Sequence, residues 1–132
     1  MQLIYMSTPS EGTSEDILLS VVSDAQINNI EHGISGFLIS DNKNYIQLLE
    51  GSKKDVISLF EKIKSDIRHH DIQLQYQEVC ESRAMPFLGM GLCFINSLKS
   101  LDYDFYFTRI QAQEFSGLIE GKVGHYFRRY II

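Results

Sequence analysis

Short apolar runs alternate with helical stripes along this chain. LIYM, residues 3–6, is followed by the turn-rich STPSEG and then by TSED, whose Thr13 and Asp16 have capping-box spacing and predict a helix start at Thr13. Behind that start Leu18, Val22 and Ala25 recur at three- and four-residue spacing, and the next position on the stripe is Asn29, close to a stop at Gly33. The helix thus ends with an amide on its buried face. In GISGFLISDNKNYIQLLEG two apolar runs flank Asp41-Asn42-Lys43, a connection rich in turn formers that predicts a hairpin. Ser52 and Asp55 form a second capping box, and Val56, Leu59, Phe60, Ile63 and Ile67 carry a helical stripe as far as Ile67. IQLQYQEV then alternates with period two, as a strand with one solvated face does, and GMGLCFI, after the irregular ESRAMPF, reads as a further strand.

The resulting order, β-α-β-β-α-β-β, predicts an α+β fold of ferredoxin-like type, a mixed five-stranded sheet with two helices on one face. LIYM and FLI are apolar on both sides, so the opposite face needs a cover. Residues 96–132 are rich in aromatics and are expected to supply it as one or two helices. Residues 1–95 then form the core domain and residues 96–132 a C-terminal helical extension.

Composition narrows the function more than the fold. The chain has 132 residues, 44% of them hydrophobic, which suits one domain with a real core. Twelve basic against 17 acidic residues give a net charge of −5, and no basic run exceeds Arg128-Arg129, so no footprint for nucleic acid or anionic lipid is present. The N-terminus turns polar by Thr8 and no apolar run approaches a membrane span, which predicts a cytoplasmic protein without a membrane partner. Cys80 and Cys93 both fall in strand-like stretches and are expected as buried free thiols.

The polar residues inside the apolar layers carry the chemistry. Alternation puts Tyr45, Gln47 and Leu49 on one strand face, and Leu3 and Tyr5 on one face of the first strand. If these faces lie beneath the two helices, Tyr5, Gln47 and Asn29 converge as a phenol and two carboxamides in an apolar cavity, a set that suits a planar heterocycle with carbonyl and imide edges. Any one of the three alone is more often a polar group satisfying neighbouring backbone. Arg68, in Asp66-Ile67-Arg68-His69 at the end of the second helix, either binds phosphate or complements the helix dipole, the second being the default. His69 and His70 are adjacent and diverge, with no ligand partner at metal spacing.

Taken together, LIYMS, NNIEHGISGFLI, YIQLLEG and SDIRHH, with MPFLGM a looser fit, resemble the BLUF domains, flavin-binding sensors of blue light, over roughly residues 2–95. The chain is similar to a short single-domain member. The resemblance implies noncovalent FAD, with FMN or riboflavin as other possible ligands. Tyr5 then matches the tyrosine that donates an electron and a proton to the excited flavin, Gln47 the glutamine bridging that tyrosine and the ring's N5 and O4 edge, and Asn29 the asparagine on the carbonyl and N3 edge. Asn28 matches a side chain flanking the ring, and Ile63 and Ile67 match residues packed near it. Asp66, Arg68 and His69 match the group near the ribityl and phosphate side, and Met90 the methionine on the last strand, near the glutamine. Many members carry tryptophan where Leu88 stands, and this chain has no Trp.

The leading expectation is therefore a non-enzymatic photoreceptor that signals to an unknown protein partner or by a change of homo-oligomer. A ferredoxin-like interaction module without functional flavin is the alternative. A small phosphate-transfer enzyme on the same fold, using Arg68 and Asn29, ranks last because no glycine-rich anion loop accompanies the arginine.

Overall fold

The computed structural model describes residues 1–97 and 99–131; Leu98 and Ile132, both in the predicted extension, lie outside the described residues. Nine elements follow one another: β1 (Gln2–Pro9), α1 (Glu15–Glu31), β2 (Ser35–Ser40), β3 (Tyr45–Glu50), α2 (Lys53–Lys64), β4 (His69–Glu78), β5 (Gly91–Phe94), α3 (Arg109–Ser116) and α4 (Gly121–Ile131). The sheet runs β4-β1-β3-β2-β5. Its pairs are antiparallel except β2 with β5, so it is mixed and five-stranded, with the ferredoxin-like order the periodicity predicts.

Local chemistry sets the element ends, and twice it moves them from the expected place. The first helix is capped by Ser14, whose hydroxyl accepts from the Ile17 amide, whereas the Thr13 hydroxyl donates to the Arg68 carbonyl. Thr13 ties α1 to the loop before β4 instead of starting the helix. At the second helix Ser52 caps as expected, accepting from the Asp55 amide and donating to its carboxylate. This helix stops at Lys64, three residues short of Ile67, where the Ser65 and Asp66 amides fold back onto the Lys62 and Ile63 carbonyls. The hairpin turns through Asn42 (φ 71°), with the Asp41 carboxylate accepting from the Lys43 and Asn44 amides.

Two cores lie on either side of the sheet. Under α1 and α2 pack Leu3, Tyr5, Leu38, Tyr45, Leu49 and Met90 with Leu18, Val22, Val56 and Phe60. The other face, with Ile4, Phe37, Ile39, Ile46 and Leu48, is covered by Ala112 of α3 and by Val123, Phe127 and Ile131 of α4. The aromatic tail is thus a cover, as expected. It also reaches further: Phe105 accepts from the Leu92 amide and Phe107 donates to the Leu92 carbonyl, so residues 105–107 line the outer edge of β5, and Phe105 and Tyr106 join the core under the helices. Of the two cysteines, both free, Cys93 is buried in β5, but Cys80 is half-buried in the irregular segment past the end of β4.

Candidate functional site

Antiparallel pairing places Tyr5 directly opposite Gln47 on β1 and β3. Both side chains point under the helices, and the Tyr5 hydroxyl donates to Gln47 Oε1. The other end of the same amide, Nε2, points at Met90 Sδ, 3.2 Å away. Thioether sulfur is a weak acceptor, so the Gln47 amide is firmly held at its oxygen and loosely at its nitrogen. Room for Met90 comes from Gly36 on the neighbouring strand, where a Cβ would lie 3.1 Å from Met90 Cε and 2.0 Å from the Leu48 carbonyl oxygen.

These groups open into a cavity of about 190 Å³ between α1, α2 and the sheet. Its walls are apolar, with Leu18, Val22 and Ala25 from α1, Leu59 and Ile63 from α2 and Leu38 from β2, and its polar groups gather at two places. Tyr5, Gln47, Met90 and Asn29 form one group and Asp66 and Arg68 the other, with the His69 ring centroid 6.2 Å from that of Tyr5. Asn29 is buried on α1 and spends one amide hydrogen on the Gly89 carbonyl (2.9 Å), so its oxygen and second hydrogen are left for the cavity.

Electrostatics distinguish the two ends. Burial pushes the Tyr5 phenol far up, helped by the nearby Asp66 carboxylate and the Tyr45 phenol, so Tyr5 is a neutral donor at any ordinary pH. Tyr45, also in the cavity wall, is pushed up by burial while the Arg68 charge pulls it back. At the open end Arg68 forks onto Asp66, with Nη2 to Oδ2 at 2.6 Å and Nε to Oδ1 at 2.9 Å. This bond holds the Asp66 carboxyl below and the Arg68 guanidinium above their usual ranges. His69 is the first residue of β4; its Nε2 is 2.6 Å from the Ile63 carbonyl and its Nδ1 2.8 Å from the Ser7 hydroxyl. A carbonyl only accepts, so Nε2 carries the hydrogen and a neutral ring accepts from Ser7 through Nδ1.

Eight of the expected site residues therefore line one cavity: Tyr5, Asn29, Gln47, Ile63, Asp66, Arg68, His69 and Met90. Two do not. Asn28 lies one position, or about 100° of helix rotation, from Asn29 and faces solvent. Ile67 is 89% exposed, because α2 has ended before it and its side chain no longer follows the helical stripe. Sequence reasoning missed Tyr45 and Leu38 as cavity walls, although strand alternation and pairing with Gln47 carried that information. It also missed Gln26, whose amide grips the Met90 backbone from α1. The Leu88 position contributes through its backbone, its carbonyl accepting from the Gly36 amide.

A ferredoxin-like sheet with an apolar cavity beneath two helices, and with a Tyr-Gln pair in it, has the form of a small-molecule-binding domain. The sequence model of "Sensors of blue-light using FAD" matches residues 1–91, and the chain belongs to this family, the BLUF domains. The family's description is of sensors that detect blue light with FAD. Among curated proteins it is similar to a photoactivated adenylate cyclase subunit beta-like protein of Euglena gracilis, 28% identical over 120 residues, which covers 89% of this chain but 14% of that protein. Photoactivated adenylate cyclase subunit beta of the same organism is 30% identical over 84 residues, 64% of this chain and 10% of its own length. The chain thus spans a small part of these curated relatives. Among solved structures, BlrP1 of Klebsiella pneumoniae with FMN and cyclic diGMP matches with a TM-score of 0.80 at 25% identity, over 98% of this chain and 35% of that one. The dark-state structure of BlrB, a BLUF protein, matches in fold with a TM-score of 0.71 at 19% identity, over 98% of this chain and 93% of that one.

Proposed function

We propose that the cavity takes the ring of a noncovalently bound flavin and that Tyr5 and Gln47 form its light-operated switch. FAD is the ligand in the family's description; the ring contacts alone would also accept FMN or riboflavin. The chemistry of the lining fits such a ring: apolar walls, Ile63 among them, for its faces, the Asn29 and Gln47 amides for its carbonyl and imide edge, and Asp66, Arg68 and His69 towards the ribityl and phosphate side. Flavin supplies light absorption and an electron-accepting ring. The observation that carries the reading is the bond from the Tyr5 hydroxyl to Gln47 Oε1, backed by a sulfur that holds the amide nitrogen only weakly.

In this scheme Tyr5 gives up an electron and a proton on illumination, Gln47 rearranges while the phenol is oxidised, and Tyr5 then recovers both. A carboxamide that reverses exchanges donor for acceptor at a fixed place. At the buried Tyr5 and Gln47 end, where a bound ring would exclude competing water, the two arrangements differ by about one hydrogen bond, about 1 kcal/mol net. That small gap suits a bistable element. The signal leaves the core through a protein partner or a change of homo-oligomer.

The test is an absorption spectrum before and after blue light. The flavin-loaded chain should shift reversibly to the red, Gln47→Leu should stay yellow without shifting, and Tyr5→Phe should fail to cycle. A normal shift in Gln47→Leu would overturn the assignment. A colourless chain that cannot be loaded with flavin would favour an interaction module instead.

A further inference from the structure

Met90 stands immediately before β5, outside the β2 ladder, which begins at the Phe37 and Gly91 pair. Its backbone is nonetheless held on both sides by one side chain. Gln26 Nε2 donates to the Met90 carbonyl at 2.5 Å, and the Met90 amide donates to Gln26 Oε1 at 3.1 Å. A carboxamide has the same donor and acceptor spacing as a peptide group, so Gln26 takes the place a neighbouring strand would occupy. A further bond from the same Nε2 to the Val22 carbonyl at 3.1 Å anchors the side chain to its own helix.

The contact is close as well as polar. A Cβ at residue 89 would lie 2.7 Å from the Gln26 carbonyl oxygen and 3.1 Å from Gln26 Cα, so only glycine lets α1 approach the chain here. Asn29, one turn further along α1, donates to the Gly89 carbonyl. Two adjacent peptide groups, at residues 89 and 90, are thus gripped by two amides of one helix. The side chain of the second residue touches the loosely held end of the Gln47 amide.

We propose that Gln26 is a positioning residue that clamps Met90 against Gln47 and makes α1 the element that feels the state of the Gln47 amide. The proposal deepens the switch reading above and rests on it for the light-driven part; the clamp itself concerns this chain's own backbone. Gln26 does not line the cavity, so its removal spares the Tyr5 and Gln47 contact.

The experiment uses the flavin-loaded full chain, with Met90 amide exchange followed by NMR and dark recovery followed by absorption. In Gln26→Leu the Met90 amide should exchange at least about tenfold faster in the dark, the red shift should persist, and recovery should change at least about threefold, because freeing Met90 alters the weak contact Gln47 must re-form. Gln26→Glu separates positioning from mere packing. Its protonated carboxyl can both donate to the Met90 carbonyl and accept from the Met90 amide, whereas the carboxylate can only accept. Its recovery should therefore match the wild type near about pH 4 and Gln26→Leu near about pH 8, set against the wild-type profile over the same range.

Unchanged Met90 exchange in Gln26→Leu, or a Gln26→Glu recovery with no more pH dependence than the wild type, would overturn the clamp. So would loss of the red shift in Gln26→Leu with flavin still bound, since that would put Gln26 inside the switch. A wild-type chain that binds flavin but never shifts would sink the switch reading instead, and dark exchange at Met90 would still decide the clamp.

Discussion

At the scale of single residues, the neutrality of Tyr5 is the property most exposed to test. Its phenol titrates above the usual value of about 10 because burial disfavours the phenolate. A group whose acid form the fold prefers contributes stability that is intact below the unfolded value and is lost as pH rises beyond it. Unfolding free energy should therefore be insensitive to Tyr5 up to about pH 10 and fall above it, and the slope of that fall should be shallower in Tyr5→Phe. Denaturant titrations at a series of alkaline pH values would check this. A wild-type slope no steeper than that of the variant would mean that Tyr5 ionises freely in the folded protein. The position itself was readable in advance, because β alternation and a single amide in an apolar run are local signals. The two residues assigned to the site that lie outside the cavity wall do so for equally local reasons: Asn28 by a helix rotation of one residue, and Ile67 because backbone bonds close α2 a turn early.

At the scale of elements, the irregular segment between β4 and β5 had no readable period, yet it is firmly tied down. Glu50, at the end of β3, is fully buried; its carboxylate accepts from the Ala84 and Met85 amides at 2.7 Å each and from Gln2 Nε2 at 2.8 Å. Arg83 adds bonds to the Ser35 hydroxyl and the Gly33 carbonyl. A side chain that substitutes for a strand partner leaves no mark on hydrophobic periodicity, which is why neither Glu50 nor Gln26 stood out from the sequence. Glu50→Ala would strand two backbone donors in the interior and should cost about 2–4 kcal/mol. Urea unfolding of the flavin-free chain measures this directly, and a loss under about 0.5 kcal/mol would show that water replaces the carboxylate. The segment so released leads into Met90, so the same variant should speed exchange at the Gly89 and Met90 amides more than at Leu92, whose amide bonds to Phe105.

At the scale of the molecule, the question is whether residues 1–95 stand alone. The family match ends at residue 91, and the pattern of elements puts a boundary near Asn96. The packing argues that the cut would pass through a shared core. Phe37 stacks on Phe115 and packs at a tilt against Phe107 and Phe127, with ring centroids 5.3 to 5.9 Å apart, and Phe127 is fully buried against the sheet. Tyr126 donates to the Gln75 carbonyl and Tyr130 to Met6 Sδ, so α4 also reaches β4 and β1. Among no described helix is there one long and apolar enough to cross a membrane, and the apolar stripe of α4 faces the sheet instead. Phe127→Ala should cost about 3–5 kcal/mol, the range for emptying a large aromatic site in a packed core. Because this cover touches the strand face behind Tyr5 and Gln47 rather than the cavity, the variant should unfold earlier in urea yet retain flavin and its red shift at low temperature. A red shift lost while the fold survives would instead tie α4 directly to the switch, and would make the cover, not α1, the first element to carry the signal outward.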